Sequence, residues 1–96
     1  MIVAVTKIPV KPGSMDKAHA LIKEVAPGAL KDIDGLHRVY YTSDDNAVRA
    51  FGVWESAEHY TAFAEGGMAK ALEPFKELMA GPPEKHIHEC FFTVEK

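Results

Sequence analysis

The chain has 96 residues, enough for one domain, and a chain this short buries only about 60–65% of the surface its unfolded form exposes. Its hydrophobic fraction of 47% and charged fraction of 26% are those of an ordinary globular protein. The net charge is −3 with Lys and Arg scattered among Asp and Glu, which argues against a nucleic-acid footprint and against a basic face for anionic lipid.

The first residues, Ile2 to Val10, are rich in β-branched side chains and end in the turn signal Lys11-Pro12-Gly13, so they read as a strand rather than a signal peptide. Ser14 stands where a helix N-cap belongs, with Asp16 in the first turn. Met15, Ala18, Ile22, Val25 and Ala29, with Leu21 beside them, carry helical spacing, which predicts an amphipathic helix over 14–33. Pro27-Gly28 predicts a kink or short break within it. After Asp34-Gly35, the segments LHRVYYTS and AVRAFGVW flank the polar turn Asp44-Asp45-Asn46 and read as an antiparallel hairpin. Ser56 caps a second helix, AEHYTAFAE; Gly66-Gly67 interrupts it, and MAKALEPFKELMA continues helically with a further break at Pro74. Gly81-Pro82-Pro83 ends the helical region, and KHIHECFFTVEK reads as the last strand, residues 85–96. No repeat, low-complexity tract or linker divides the chain, so a single domain over 1–96 is expected.

The order β-α-β-β-α-β, with right-handed crossovers, predicts an α+β fold: a ferredoxin-like four-stranded antiparallel sheet in the order 4-1-3-2 with helices on one face. Alternation along the strands leaves both faces apolar. Ile2, Ala4, Thr6 and Ile8 oppose Val3, Val5 and Lys7; Val48, Ala50, Gly52 and Trp54 oppose Ala47, Arg49, Phe51 and Val53. A bare apolar sheet face of several hundred Å² is rare on a monomer, so a second copy packed sheet to sheet is the expected cover. The single Cys90 forms no intramolecular disulfide, which favours a reducing compartment, and no apolar run approaches a membrane span; a cytoplasmic protein with no membrane partner is expected.

The stretch Phe51-Gly52-Val53-Trp54-Glu55-Ser56 ends a strand and caps a helix. Together with Lys11-Pro12-Gly13, Ala26-Pro27-Gly28, Asp34-Gly35-Leu36 and the element order, it resembles the antibiotic biosynthesis monooxygenase-like family of dimeric α/β barrels. That resemblance implies a homodimer whose two sheets form a barrel, and a ligand cavity in each subunit between sheet and helices. Some members oxygenate quinols or polyketide phenols with O₂ and no metal, flavin or haem. Carried over residue by residue, it implies catalytic or substrate-contacting roles for Trp54 and Tyr60, at the strand end and six residues on, and a substrate-lining role for Phe63. Ala50 stands where oxygenases of aromatic polyketides have Asn, and Phe63 and Met68 stand where quinol-oxidising relatives carry His. The Asn, Trp and His of the haem-degrading branch are replaced in the regions of Thr6 and Lys7, Phe63 and Glu73, so haem degradation is not expected.

Each of these residues also has a packing explanation. Trp54 can seal the first helix against the sheet, and Tyr60 can pack beside Phe63 and Ala64 with its hydroxyl at the edge. Tyr40 and Tyr41 point to opposite sheet faces, one toward the helices and one toward a partner, in an order the pattern leaves open. His86 and His88 share a strand face with Cys90, and His37 could approach them in a dimer, but no spacing supports a tetrahedral metal site and none is expected. His19 and His59 fall on helices near solvent, and Ser14 and Ser56 read as caps rather than nucleophiles. The expected function is a cofactor-independent monooxygenase acting on a small phenolic or quinol substrate. The alternatives are a non-catalytic dimeric ligand-binding or stress-response module with the same cavity and, less favoured, an isomerase or lyase using His as acid and base.

Overall fold

A computed structural model describes all residues, 1–96. The β-branched start forms β1 (Ile2–Pro9), followed by α1 (Met15–Leu30), β2 (Leu36–Ser43), β3 (Ala47–Trp54), α2 (Ala57–Gly66), α3 (Met68–Leu72), a 3₁₀ turn (Glu73–Leu78) and β4 (Glu84–Glu89). The strands form one antiparallel sheet in the order β2-β3-β1-β4, the expected ferredoxin-like α+β arrangement. No helix is long and apolar enough to cross a membrane.

Four local expectations are corrected. Helix α1 ends at Leu30, short of residue 33, and is unbroken at Pro27, because Pro27 and the Lys23 whose carbonyl it leaves without a donor are both exposed. Ser14 does not cap α1 through its side chain. Its backbone lies at φ −104°, ψ 2°, outside the extended region from which a cap hydroxyl reaches back to the first turn. Only its carbonyl serves the helix, accepting from Ala18 N–H at 2.9 Å. Strand β4 stops at Glu89 instead of running to 96, because Glu89 pairs with Ile2, where β1 itself begins. One more bond runs from Cys90 N–H to the Met1 carbonyl at 3.0 Å. Residues 90–96 then leave the sheet, with Phe91 96% exposed and Phe92 and Val94 also exposed.

The hairpin turn and the second cap follow the sequence. Asp44 accepts from Asn46 and Ala47 N–H at 2.9 and 3.0 Å and from the Arg49 guanidinium at 2.6 Å. These bonds, the one from Asn46 foremost, hold its carboxyl down at about 2. Ser56, extended at φ −154°, accepts from His59 N–H at 3.2 Å and so caps α2. Its hydroxyl is also hydrogen-bonded to His59 Nδ1 at 2.7 Å, and His59 Nε2 lies 3.6 Å from Asp34. The trio has the residue types of a hydrolase triad. However, Ser56 is committed to the cap and Asp34 is 97% exposed, so the ion pair contributes little.

The core lies on the helix side of β1 and β3 and is divided. Ile2, Ala4, Trp54, Tyr60 and Met68 form one cluster under α2 and α3; Val10, Ala18, Ile22 and Val48 form another under α1. Between them the inner sheet surface is built of small residues: Ala4 pairs with Gly52, and Thr6 with Ala50. The two clusters therefore do not close on each other.

Gly35 joins α1 to this layer. It has φ +80°, its carbonyl accepts from Glu55 N–H at 2.7 Å, and a Cβ there would overlap the His59 ring. Gly13 has the same backbone, φ +81°, with open space around it. Gly13→Ala should therefore lose about 1 kcal/mol from the left-handed conformation alone. Gly35→Ala should lose about 2–3 kcal/mol, lowering Tm by roughly 10 °C or more. Adding His59→Ala to Gly35→Ala should restore part of that loss, as read by thermal or urea unfolding. Equal losses at the two glycines would refute the overlap.

Candidate functional site

The gap between the two core clusters is a chamber of about 90 Å³ lined almost wholly by apolar side chains. Trp54, at the end of β3, is 3% exposed and packs edge-on against Tyr60 of α2 (centroids 5.6 Å apart, planes at 79°) and at a tilt against Phe63 (5.4 Å, 34°). All three rings border the chamber. Gly52 makes the Trp54 position possible. A Cβ there would sit 2.8 Å from Trp54 Nε1, so the indole folds back over its own strand only because position 52 has no side chain. Gly67 leaves close room for Phe63, whose ring lies 3.1 Å from where a Cβ would project.

Tyr60 is 5% exposed as a residue, and burial raises its pKa above the ordinary phenol value, so it carries its proton at neutral pH. No buried side-chain nitrogen or oxygen lacks a hydrogen-bond partner, and the Tyr60 hydroxyl bonds to no other side chain. It therefore keeps contact with open space, where an incoming group could meet it. Tyr41 is the only other titratable side chain lining the chamber, and its pKa is likewise raised by burial.

A wider cleft of about 560 Å³ opens between α1 and the edge strand β2. Ile22, Leu30, Leu36, Val39 and Tyr41 line both spaces, so the chamber is the inner end of the cleft. The division matters for size. At about 90 Å³ the chamber alone is smaller than the roughly 150 Å³ that accepts a benzene ring, while the cleft falls in the range of small-molecule sites. A phenol-sized ligand must lie across the junction, with Tyr41 beside it.

The structure brings Trp54, Tyr60 and Phe63 to one cavity and answers what the pattern left open. Tyr41 faces the helices and the cavity, while Tyr40 pairs with Phe51 on the opposite sheet face. His19 is not idle at a solvent-facing position. Its Nε2 is hydrogen-bonded to Ser43 Oγ at 2.7 Å, tying α1 to β2 across the cleft. Its signal was the stripe His19, Lys23, Pro27 and Lys31 at four-residue spacing, which places it over β2 only once the helix is seated. His37 lies at an irregularity in the β2–β3 register and bonds Glu55 at 2.7 Å. Since β2 and β4 are opposite sheet edges, His37 stands away from His86 and His88 of the same subunit, and no three His, Cys, Asp or Glu side chains come close enough to hold a metal ion.

Solved structures share this fold closely. A protein of unknown function from Nitrosomonas europaea superposes with a TM-score of 0.80 at 16% identity, covering 99% of this chain and 93% of its own. A monooxygenase from Streptomyces coelicolor, in complex with nanaomycin D, gives 0.74 at 21% identity, with 99% and 91% covered. A cofactor-independent oxygenase from Streptomyces nogalater gives 0.70 at 16%, with 99% and 97% covered. No curated protein sequence matches the chain. The family sequence model described as antibiotic biosynthesis monooxygenase matches residues 1–74, from β1 into the 3₁₀ turn, and so spans every residue that borders the chamber except Phe75. On that match and this architecture, the chain belongs to the antibiotic biosynthesis monooxygenase family.

Proposed function

We propose that this protein is a cofactor-independent monooxygenase of a small phenol or quinol, with the whole 1–96 chain acting as one domain in the cytoplasm, where Cys90 stays reduced. The observation that carries the reading is the aromatic group of Trp54, Tyr60 and Phe63 bordering an apolar chamber, with Tyr60 kept as a neutral phenol by its burial. Trp54 and Phe63 serve as walls for the substrate ring. Tyr60, held as a neutral phenol, donates a hydrogen bond to the substrate oxygen and stabilises the anion that forms when the substrate loses a proton toward the open cleft. That anion gives an electron to O₂, and the radical pair collapses to a peroxide. For a reacting CH₂ carbon, the peroxide takes up a proton and loss of water leaves a carbonyl: the substrate supplies all four electrons that reduce O₂, one oxygen atom staying in the carbonyl and the other leaving as water. Supporting this reading are the family membership and the similar fold of proteins described as monooxygenases.

A second reading is favoured by one specific observation. Ala50, Phe63 and Met68 stand where relatives carry Asn and His, so tyrosines are the only titratable groups at the chamber. That is the lining of a binding site as much as of an enzyme, and a non-catalytic dimeric ligand-binding or stress-response module would need no more. Oxygen uptake separates the two. Metal-free protein should consume O₂ with a reduced naphthoquinol or an anthrone faster than buffer, and Tyr60→Phe should slow it by about 10²-fold or more. An unchanged rate in Tyr60→Phe removes that residue from the chemistry, and no acceleration over a varied panel favours the binding module.

The proposal includes a homodimer built on the sheet face that the helices leave uncovered. Val3, Val5, Phe51 and Val53 line that face half-buried with Tyr40 beside them, and Phe91, Phe92 and Val94 extend beyond β4 without cover. Two such faces packed together form the α/β barrel that the family resemblance implies. Sedimentation at micromolar concentration should give about twice the 10.6 kDa chain mass, and Phe51→Lys should give a folded monomer. A wild-type monomer would contradict the sheet-to-sheet contact.

A further inference from the structure

The chain carries 14 acidic and 11 basic residues, yet no Asp or Glu lines either the cleft or the chamber. The cleft instead presents Lys23 of α1 and Lys31, the C-cap that continues its turn, eight residues and therefore about 12 Å apart along the helix direction, on either side of Pro27. Of the other polar residues there, His37 bonds Glu55 at 2.7 Å, His19 bonds Ser43 at 2.7 Å, and the Arg38 guanidinium, still charged, donates at 3.0 Å to the hydroxyl of Tyr40 on the opposite sheet face. Neither Lys23 nor Lys31 makes an ion pair. An overall acidic protein has thus kept one cavity free of carboxylates and placed two unpaired ammonium groups at its mouth. The chamber, at about 90 Å³, takes only part of a ring, so a ligand necessarily extends outward beneath these lysines.

Resting on the reading of the chamber as the ligand site, we propose that the preferred ligand is an aromatic acid, its ring directed to Trp54 and its carboxylate held at the Lys23–Lys31 mouth. A fixed negative charge there gains Coulomb attraction from both ammonium groups, with no carboxylate in the cleft lining to offset it. Because the mouth is open to solvent, each lysine contributes modestly and the gain is screened by salt. The uncharged ring contacts are independent of it.

Calorimetric titration with 1-hydroxy-2-naphthoate and with 1-naphthol separates the two contributions. At low salt the naphthoate should bind about tenfold more tightly than the naphthol. The preference should vanish in the Lys23→Ala/Lys31→Ala variant and in about 1 M salt, while naphthol affinity in the variant stays unchanged. Both lysines are exposed, so the variant keeps its fold. Equal affinities for the two probes in the wild type, or a preference that survives the double substitution, would overturn the aromatic-acid proposal and leave the chamber reading intact. Failure of both probes to bind would overturn the chamber reading and this proposal with it.

Discussion

The packing of Trp54 is the constraint on which the rest of the molecule turns. As the last residue of β3 it pairs with Ile2 on one side and Leu36 on the other, so its backbone ties three strands at one end of the sheet. Its indole lies over Gly52 and meets Tyr60 and Phe63, which fixes how far α2 stands from the sheet. A bulky aromatic at the sheet end and small residues at its middle give a helix layer supported at its ends but not at its centre. That geometry produces the chamber. The space between the two core clusters is thus a consequence of side-chain volumes that the sequence specifies, since interiors otherwise pack to near crystalline density.

The same sheet imposes a second demand through its other face. The helices cover one side of β1 and β3 only, the central strands carry apolar residues outward, and β4 ends at Glu89, opposite the first residue of β1. An exposed sequence with Phe91, Phe92 and Val94 is costly for an isolated subunit and natural for one that is completed by another copy. The proposed site and the proposed dimer contact thus use opposite faces of the same strands. Ala4 and Gly52 give the chamber its room, while their neighbours Val3, Phe51 and Val53 supply the outer face.

Much of this was legible in the sequence because it rests on local rules. Period-two alternation assigned every residue of β1 and β3 to its face, and the hairpin strands Leu36–Ser43 and Ala47–Trp54 followed from their β-branched and aromatic content around Asp44-Asp45-Asn46. Ser56 capped as expected. Ser14 did not: its backbone, at φ −104° and ψ 2°, lies outside the extended region that a side-chain cap needs. The end of β4 was missed for a non-local reason: a strand lasts only as long as its neighbour, and nothing in KHIHECFFTVEK shows where β1 begins. Trp54, Tyr60 and Phe63 were singled out through the family resemblance at a strand-to-helix junction, and they border one chamber. Tyr41, His19 and the lysine stripe were not, because their role depends on how α1 sits over the edge strand, and that angle is a property of packing rather than of either segment.

The central claim is that the chamber under Trp54 and its outer cleft form one ligand site. A crystal structure of the protein soaked with an air-stable aromatic such as 1-naphthol tests it directly. The account predicts the ring at the junction of the two spaces, against Trp54 and Tyr41, with its hydroxyl within hydrogen-bond distance of Tyr60 Oη. A ring bound elsewhere, with the chamber closed by rearranged Phe63 or Met68 side chains, would contradict it.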